Sequence, residues 1–305
     1  MMKNIHSVLR RKKSRLSTSQ KKFLLVFGIP TFLLYVYICI VPMMESVRNS
    51  FTEWNGYGDK EWIGLSNYAH IIKDNVFAQS VWHDMYLVIF KEIMGVTLAL
   101  LFAIALTRIR LKKTEKIFLR FLYYIPNMLS VIVISMVWRF FFNLNMFDEL
   151  LKVLHLNISA PNGWMTDYPL PIIGFVASWC GIGSFMIIFI AAINNVSQEI
   201  YEAAEIDGAG QWGQLWHITI PDILSQVRYV IVTILTSSLA ANLNLVLPFT
   251  NGGPSNRTMV MGLYVYNAAY VEYKVGYANA AAVLLMMISI CLAALVNWAV
   301  MRKGD

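Results

Sequence analysis

The sequence has 305 residues, of which 57% are hydrophobic and only 14% are charged, with a formal net charge of +7. Soluble domains average roughly 45–50% apolar and about 25% charged residues, so this composition excludes a disordered protein and a nucleic-acid-binding module. Basic residues cluster at the N-terminus and in residues 108–120, beside long apolar runs, which is typical of membrane proteins. The three cysteines are widely spaced in apolar segments and predict neither a disulfide framework nor a metal site. The composition therefore predicts a polytopic membrane protein.

Six stretches are long and apolar enough to cross a bilayer, which takes roughly 20 helical residues. They predict an all-α fold with six transmembrane helices. Each helix is expected to be continuous, because a backbone in lipid must satisfy its own hydrogen bonds. The predicted spans are residues 23–44, 85–107, 121–142, 170–193, 227–249 and 277–301.

The positions of Lys and Arg predict the orientation of these spans. Residues 1–22 contain eight basic residues and the connection 108–120 contains six. Because cytoplasmic connections carry the excess of positive charge, the N-terminus is predicted to be cytoplasmic, and six spans return the C-terminus to the same side. Residues 1–22 are thus a basic cytoplasmic tail, which either lies on anionic lipid headgroups or is solvated.

The connection 194–226 breaks this charge pattern, since it contains no Lys or Arg and five acidic residues. Ser197 is a good helix cap and Gly208 a good left-handed stop, so a short helix is predicted between them. Ala203 and Ala204 would let a neighbouring surface approach this helix closely. The residue pattern alone leaves two interpretations open: an acidic tip that docks into a basic groove on a partner, or a solvated amphipathic connector.

Three elements of this connection resemble the EAA loop of permeases in binding-protein-dependent ABC importers, here residues 197–221. They are Glu202-Ala-Ala, Asp207-Gly208-Ala209 and Ile218-x-Ile220-Pro221. Two positions depart from the family pattern, because Ile220 replaces the usual Leu and Leu215 replaces the Phe of carbohydrate-type members. Both replacements remain apolar.

Two external segments resemble the carbohydrate branch of the same family, which includes maltose-type, multiple-sugar and glycerol-phosphate permeases. The first segment contains Ser50-Phe51, Gly64-Leu65 and Asn67-Tyr68. The second contains Thr250-Asn-Gly-Gly-Pro254, Tyr264-x-Tyr266 and Gly276-Tyr-Ala278. The sequence also departs from the pattern of this branch at the start of the second span, where His83-Asp84 replaces a frequent Asn.

The resemblance implies a type I ABC importer permease fold over residues 23–305, forming half of a translocation pore and performing no catalysis. The sequence has no GxxxxGK[ST] phosphate-binding loop, which agrees with ATP hydrolysis by a separate subunit. The implied partners are a second, different permease subunit, an ABC ATPase dimer, an extracellular solute-binding protein, a carbohydrate substrate and membrane lipid. No cofactor or metal is expected, and the implied location is the cell membrane of a prokaryote.

The resemblance also implies which residues couple the permease to the ATPase. Glu202 is expected to make the charged contact, and Asp207 is equally suited to a local bond at the end of the helix. The full set is Glu202, Ala203, Ala204, Asp207, Gly208, Ile218 and Pro221.

Polar side chains inside the spans predict either a substrate path or hydrogen bonds between helices, because uncompensated polar groups are costly in lipid. Aromatic, amide and hydroxyl groups suit a sugar, but for any single residue a hydrogen bond to a neighbouring helix, which is common in bundles, is the favoured alternative. The candidates for the path are Tyr124, Asn127, Ser130, Trp179, Ser184, Ser238 and Asn242.

Lys91 and Glu92 lie inside the second predicted span. Adjacent helical residues point about 100° apart, so we do not expect these two side chains to pair. Glu92 supports an alternative function, an ion-coupled secondary transporter in which it is the coupling acid. That class typically contains inverted repeats, and none is visible between residues 23–142 and 170–301.

Overall fold

The computed structural model describes residues 17–109, 112–156 and 158–301. Most of the predicted basic tail therefore lies outside the described residues. Within the described part, the chain is almost entirely helical, in agreement with the predicted all-α class. The strands found there are β1 (Thr52–Glu53) and β2 (Glu61–Trp62), an antiparallel pair in which Thr52 lies opposite Trp62.

Five helices among the described residues are long and apolar enough to cross a membrane. They match five of the predicted spans, although most extend beyond the predicted ends. They are α1 (Leu24–Asn49), α3 (Asn75–Arg108), α8 (Pro169–Asn195), α11 (Leu224–Phe249) and α13 (Val275–Met301). Short π-helical segments interrupt α1 and α3 at Leu24–Gly28, Val36–Ile40 and Glu92–Val96.

The third predicted span, residues 121–142, is not the continuous helix that we expected. It consists of α4 (Lys113–Met128) and α5 (Val131–Asn143), which meet at an angle of 96°. Leu129 and Ser130 adopt extended backbone between them, three residues after Pro126, which has no N–H to donate. The two helices pack against α8 and α11 respectively, while Leu129 and Ser130 at the break are exposed. Counted as one span, this bent pair gives the predicted total of six.

Shorter helices connect the spans. On the external side by the predicted orientation they are α2 (Ser66–Lys73), α6 (Met146–Val153), α7 (Trp164–Asp167) and α12 (Met261–Tyr266), which is followed by the π-helical segment Asn267–Val271. On the opposite side they are α9 (Gln198–Ile206) and α10 (Gln211–Gln214), followed by Leu215–Thr219 and Ile220–Asp222. A further short helix, Thr18–Phe23, precedes α1.

Helix α8 lies at the centre of the bundle and packs against α3, α4 and α11. The buried apolar residues form one cluster around Ile173 and Phe249 and a second around Met186 and Phe189. Gly183 allows α4 to cross α8 closely, since a Cβ there would lie 2.7 Å from the Cα of Tyr124. Helix α1, by contrast, is exposed along nearly its whole length and packs on α13 mainly near its C-terminal end.

Candidate coupling loop and intramembrane cavity

The helix predicted in the acidic connection is present, and its local sequence explains both of its ends. Ser197 caps α9 by accepting a 3.3 Å hydrogen bond from the N–H of Glu199. At the other end, Gly208 has a φ of +81°. Its N–H donates to the carbonyl of Glu205 at 3.0 Å, and the N–H of Ala209 donates to the carbonyl of Ala204 at 2.8 Å. These two bonds form a Schellman motif, which stops the helix and satisfies its last carbonyls.

The residues predicted to couple to an ATPase differ in their exposure. Four of them point into solvent at the tip of α9: Glu202, Ala203, Asp207 and Gly208. Ala204 is half-buried, Ile218 packs against the inner apolar cluster, and Pro221 is exposed in the turn that leads into α11. The first four residues are therefore accessible to a partner, while Ile218 anchors the loop to the bundle.

Large apolar side chains are also exposed on this connection, outside the spans. Ile206 is 86% exposed, Trp212 is 75% exposed and Trp216 is 60% exposed. Exposed apolar side chains of this size on a polar surface are typical of a contact with another protein.

Arg108 holds this connection in place. In the sequence it is only one of the basic residues that predict the orientation of the spans. It is the last residue of α3, and its guanidinium donates to the hydroxyl of Thr219 at 2.6 Å and to the carbonyl of Gln211 at 3.3 Å. The same group lies 5.4 Å from the ring of Tyr201 in α9, whose hydroxyl is 2.9 Å from that of Thr219. The loop is thus tied to the end of a span more than ninety residues earlier in the chain. Nothing in the local sequence of Arg108 indicates these partners.

Two of the predicted path residues, Asn127 and Ser238, line a cavity of about 180 Å³ between α3, α4, α8 and α11. The amide of Asn127 donates to the carbonyl of Cys180 and to the hydroxyl of Ser184, both at 3.3 Å. The remaining lining is a mixture of polar and apolar side chains: Lys91, Gly95, Ala177, Ser178, Cys180, Gly181, Phe185, Ile234 and Ser237. The sequence analysis did not place Lys91 in the path.

The other candidates for the path occupy different surroundings. Tyr124 is half-buried beside Gly183, and Ser130 is exposed at the bend between α4 and α5. Trp179 packs edge-on against Trp138, with the ring centroids 5.6 Å apart. Trp179 therefore belongs to an aromatic cluster and is not one of the residues that line the cavity.

Asn242, which is also a predicted path residue, is only 3% exposed and does not line this cavity. Its amide donates a 2.7 Å hydrogen bond to Oδ1 of Asp84, which is fully buried. The other carboxylate oxygen of Asp84 accepts from the backbone N–H of Met261, also at 2.7 Å. Asn242 thus joins α11 to α3 and α12, as the alternative of a bond between helices predicts.

The two external segments that resemble sugar permeases meet in the structure. Asn67 donates to the carbonyls of Ser50 and Thr52, each at 3.0 Å, and the N–H of Gly276 donates to the carbonyl of Trp54 at 2.9 Å. These contacts fix the short β-hairpin onto the start of α13 and form one wall of a cleft of about 420 Å³.

A second external contact joins α12 to the spans. The hydroxyl of Tyr264 donates to the carboxylate of Asp74 at 2.6 Å and lies 2.7 Å from that of Tyr277. Burial raises the pKa of Tyr264, and its hydrogen bond to Asp74 raises it further. Tyr264 therefore stays protonated and acts as a donor at neutral pH.

The described residues contain no group of three or more His, Cys, Asp or Glu side chains arranged to hold a metal ion.

Residues 95–303 match the family of inner membrane components of binding-protein-dependent transport systems. The chain belongs to this family. As a member it is a permease, a transport component rather than an enzyme, and it is a protein of the inner membrane. Family membership favours the ABC permease over the ion-coupled transporter with Glu92 as its coupling acid.

Relatives of this permease match along most of their length. The probable ABC transporter permease protein YurN of Bacillus subtilis is 29% identical over 274 residues, covering 88% of this chain and 92% of the relative. The diacetylchitobiose uptake system permease protein NgcF of Streptomyces coelicolor is 27% identical, covering 94% of this chain and 84% of the relative.

The fold of the permease is also found among solved structures. A bacterial ABC transporter involved in the import of the acidic polysaccharide alginate has a chain that superposes with a TM-score of 0.78. The match covers 93% of this chain and 98% of that one at 18% identity. This similarity shows that the permease has the ABC importer fold, as the sequence predicts.

Proposed function

We propose that this permease is a subunit of an ATP-driven sugar or oligosaccharide importer. In this proposal it forms half of the translocation pore beside a second, different permease subunit, and an extracellular solute-binding protein delivers the carbohydrate. The names of its relatives support a sugar as the substrate, since NgcF belongs to a diacetylchitobiose uptake system and MsmF of Streptococcus mutans to a multiple sugar-binding transport system.

Coupling to the ATPase is assigned to the connection that carries the EAA motif. The observation that carries this assignment is the exposure of Glu202 and Ala203 on α9, a helix whose two ends are fixed by Ser197 and Gly208 and whose Tyr201 ring lies against Arg108 of α3. An ATPase dimer that closes on this helix would push against an element that is fixed to the bundle, so the movement would be passed to the spans. Glu202 supplies the charged contact, and the exposed Trp212 and Trp216 supply apolar area.

A charge reversal at Glu202 tests the coupling. In proteoliposomes that contain the complete transporter, Glu202→Lys is expected to abolish sugar uptake and substrate-stimulated ATP hydrolysis while the protein still inserts. The reason is that a positive charge would face the basic groove of the ATPase. The matched control is Glu61→Lys, an exposed glutamate in β2, which should leave both activities unchanged. Normal uptake and ATP turnover in the Glu202 variant would disprove the assignment.

The proposal places both termini and the EAA loop in the cytoplasm. A single cysteine introduced at Trp212 or at Tyr57, both strongly exposed, reports the side of the membrane through labelling by an impermeant maleimide. Labelling from outside is expected only at Tyr57. External labelling at Trp212 would reverse the proposed orientation.

For the substrate, we assign the path to the cavity lined by Asn127 and Ser238, with Tyr124, Ser130, Trp179 and Ser184 near it. The cavity lies between four spans and combines an amide with several hydroxyls, which are groups that bond sugar hydroxyls. Asn242 is left out because of its buried bond to Asp84.

A further inference from the structure

The intramembrane cavity contains a basic side chain at a depth where charge is expensive. Lys91 belongs to the 34-residue helix α3 and lies about two turns inside the predicted span 85–107. Its side chain lines the cavity together with Asn127, Ser178 and Ser238. An ionisable residue inside a span normally faces a polar cavity and marks a pathway for a solute or an ion.

Lys91 has no close partner within the part of the chain that the structure describes. The ion pairs found there join Lys152 to Glu149 and Lys274 to Glu272, and neither involves Lys91. Asp84 and Glu92 both attract Lys91 electrostatically. The carboxylate oxygens of Asp84 already accept bonds from Asn242 and Met261, whereas the two oxygens of Glu92 are buried and accept no hydrogen bond from any described residue.

Glu92, the residue that follows Lys91, does not complete the cavity either. It points about 100° away around the helix and is absent from the cavity lining. The ammonium of Lys91 is therefore the one basic group among the described residues that line this cavity.

Ser238 is a second group that lacks a partner. Its side chain is 1% exposed, and its hydroxyl forms no hydrogen bond with any described residue. Other serines around the cavity bond to the preceding helical turn, as Ser178 does with the carbonyl of Gly174 and Ser237 with that of Thr233, both at 2.7 Å. A buried hydroxyl without a partner is costly, and a change of the Ser238 rotamer toward the cavity would let a ligand satisfy it.

We propose that this cavity binds the carboxylate of an acidic saccharide, with Lys91 as the counter-charge and Ser238 as a hydrogen-bond donor. This inference rests on the proposed function as a sugar importer and adds the class of sugar. One lysine balances one negative charge, which suits a carboxylate better than a phosphate dianion. At about 180 Å³, the cavity is smaller than the roughly 300–1,000 Å³ of sites for drug-sized ligands, so it suits a single sugar unit of the chain being transported.

Uptake by the complete transporter in proteoliposomes tests this assignment with matched probes. Galacturonate and digalacturonate are compared with galactose and digalactose, which carry a hydroxymethyl group in place of each carboxylate. Galactose 6-phosphate is the third probe and tests whether the cavity prefers a phosphate to a carboxylate. The wild-type transporter should prefer the acidic members by roughly tenfold or more, which is the effect of one hydrogen bond to a charged group.

Variants of Lys91 and Ser238 provide the second part of the test. Lys91→Met should lower uptake of the acidic sugars roughly tenfold more than it lowers uptake of the neutral ones. Lys91→Arg, which keeps the charge, should retain most of the preference. Ser238→Ala removes one oxygen from a buried site and should weaken acidic uptake without lowering the unfolding temperature. Lys152→Met, at an exposed external site, is the control and should change nothing.

The outcomes separate this inference from the proposed function. Uptake of neutral sugars without a preference for acidic ones, or an equal loss of both in Lys91→Met, overturns the acidic specificity and leaves the importer intact. Preferential uptake of galactose 6-phosphate overturns the choice of carboxylate. Failure to take up any saccharide overturns both proposals.

Discussion

The guanidinium of Arg108 donates a 2.6 Å hydrogen bond to the hydroxyl of Thr219, a residue that is fully buried. The bond joins the last residue of α3 to the segment that follows α9 and α10. Because Arg108 also reaches the carbonyl of Gln211 and the ring of Tyr201, one side chain holds three parts of the connection. In the proposed coupling, a push on α9 would be passed through Arg108 to α3, which also lines the intramembrane cavity.

Removal of this side chain is expected to uncouple the transporter. Arg108→Ala should lower sugar uptake strongly while ATP hydrolysis continues, because each hydrogen bond of a charged group is worth about 1.5–3 kcal/mol and the loop loses its anchor. The loop should also become more accessible to protease. Uptake, ATP turnover and limited proteolysis of the same preparation measure the three effects.

Two further variants sharpen the result. Arg108→Lys should restore only part of the coupling, because an ammonium group cannot reproduce the planar guanidinium that donates hydrogen bonds to both Thr219 and Gln211. Lys113→Ala changes an exposed basic residue at the start of α4 and should have no effect. Coupled transport at the wild-type level in Arg108→Ala would show that the loop is held by other contacts.

The ends of α9 can be predicted from the sequence, whereas the contacts of Arg108 cannot. The ends of α9 follow from Ser197 and Gly208, because a cap and a left-handed stop act within a few residues of themselves. The bond between Arg108 and Thr219 joins positions 111 residues apart and depends on how α3 and the loop pack. The residue pattern of a single sequence does not indicate that these two side chains meet in the folded protein.

The Schellman turn at Gly208 gives a second prediction. With a φ of +81°, Gly208→Val should be strained by about 1–3 kcal/mol and should shift or lengthen α9, which lowers coupled transport. Gly208→Asn should be milder, because Asn tolerates the left-handed conformation. Uptake by transporters with each variant provides the measurement.

Gly210 offers a matched control for that experiment. It has a φ of −66°, and a Cβ would meet no atom within 4 Å. Gly210→Ala should therefore transport normally. Equal activity of the Val and Asn variants at position 208 would argue against a conformational requirement there.

The buried bond between Asn242 and Asp84 predicts a loss of stability rather than a change in sugar affinity. Asn242→Ala leaves one oxygen of a fully buried carboxyl without its partner, which costs about 1–3 kcal/mol or more. The unfolding temperature in detergent should fall by several degrees, while the KM for sugar uptake of the surviving protein stays constant.

A double exchange provides the control for this pair. Asp84→Asn combined with Asn242→Asp rebuilds an amide–carboxylate contact, and the amide oxygen at position 84 can still accept from the N–H of Met261. It should recover part of the lost stability. An unchanged unfolding temperature together with a raised KM in Asn242→Ala would return Asn242 to the substrate path.

The bend between α4 and α5 was the main feature of the fold that hydropathy did not predict. Residues 121–142 are apolar throughout most of their length, so they satisfy a test for a straight span. Leu129 and Ser130 are exposed at the break, and the two helices on either side of it are held in place by packing against α8 and α11. Both partner helices come later in the chain, so this packing cannot be inferred from the residues at the break.

The crossing of α4 over α8 gives the last prediction. A Cβ on Gly183 would lie 2.7 Å from the Cα of Tyr124 and would also press on the carbonyl of Tyr123. Both are backbone atoms, so no rotamer change relieves the contact, and Gly183→Ala should destabilise the protein by about 1–3 kcal/mol. Thermal unfolding in detergent measures the effect. Gly95→Ala is the control within a span, because a Cβ there meets nothing within 4 Å, and it should be neutral or stabilising by up to about 1 kcal/mol. Equal unfolding temperatures for the two variants would show that α4 does not lie this close to α8.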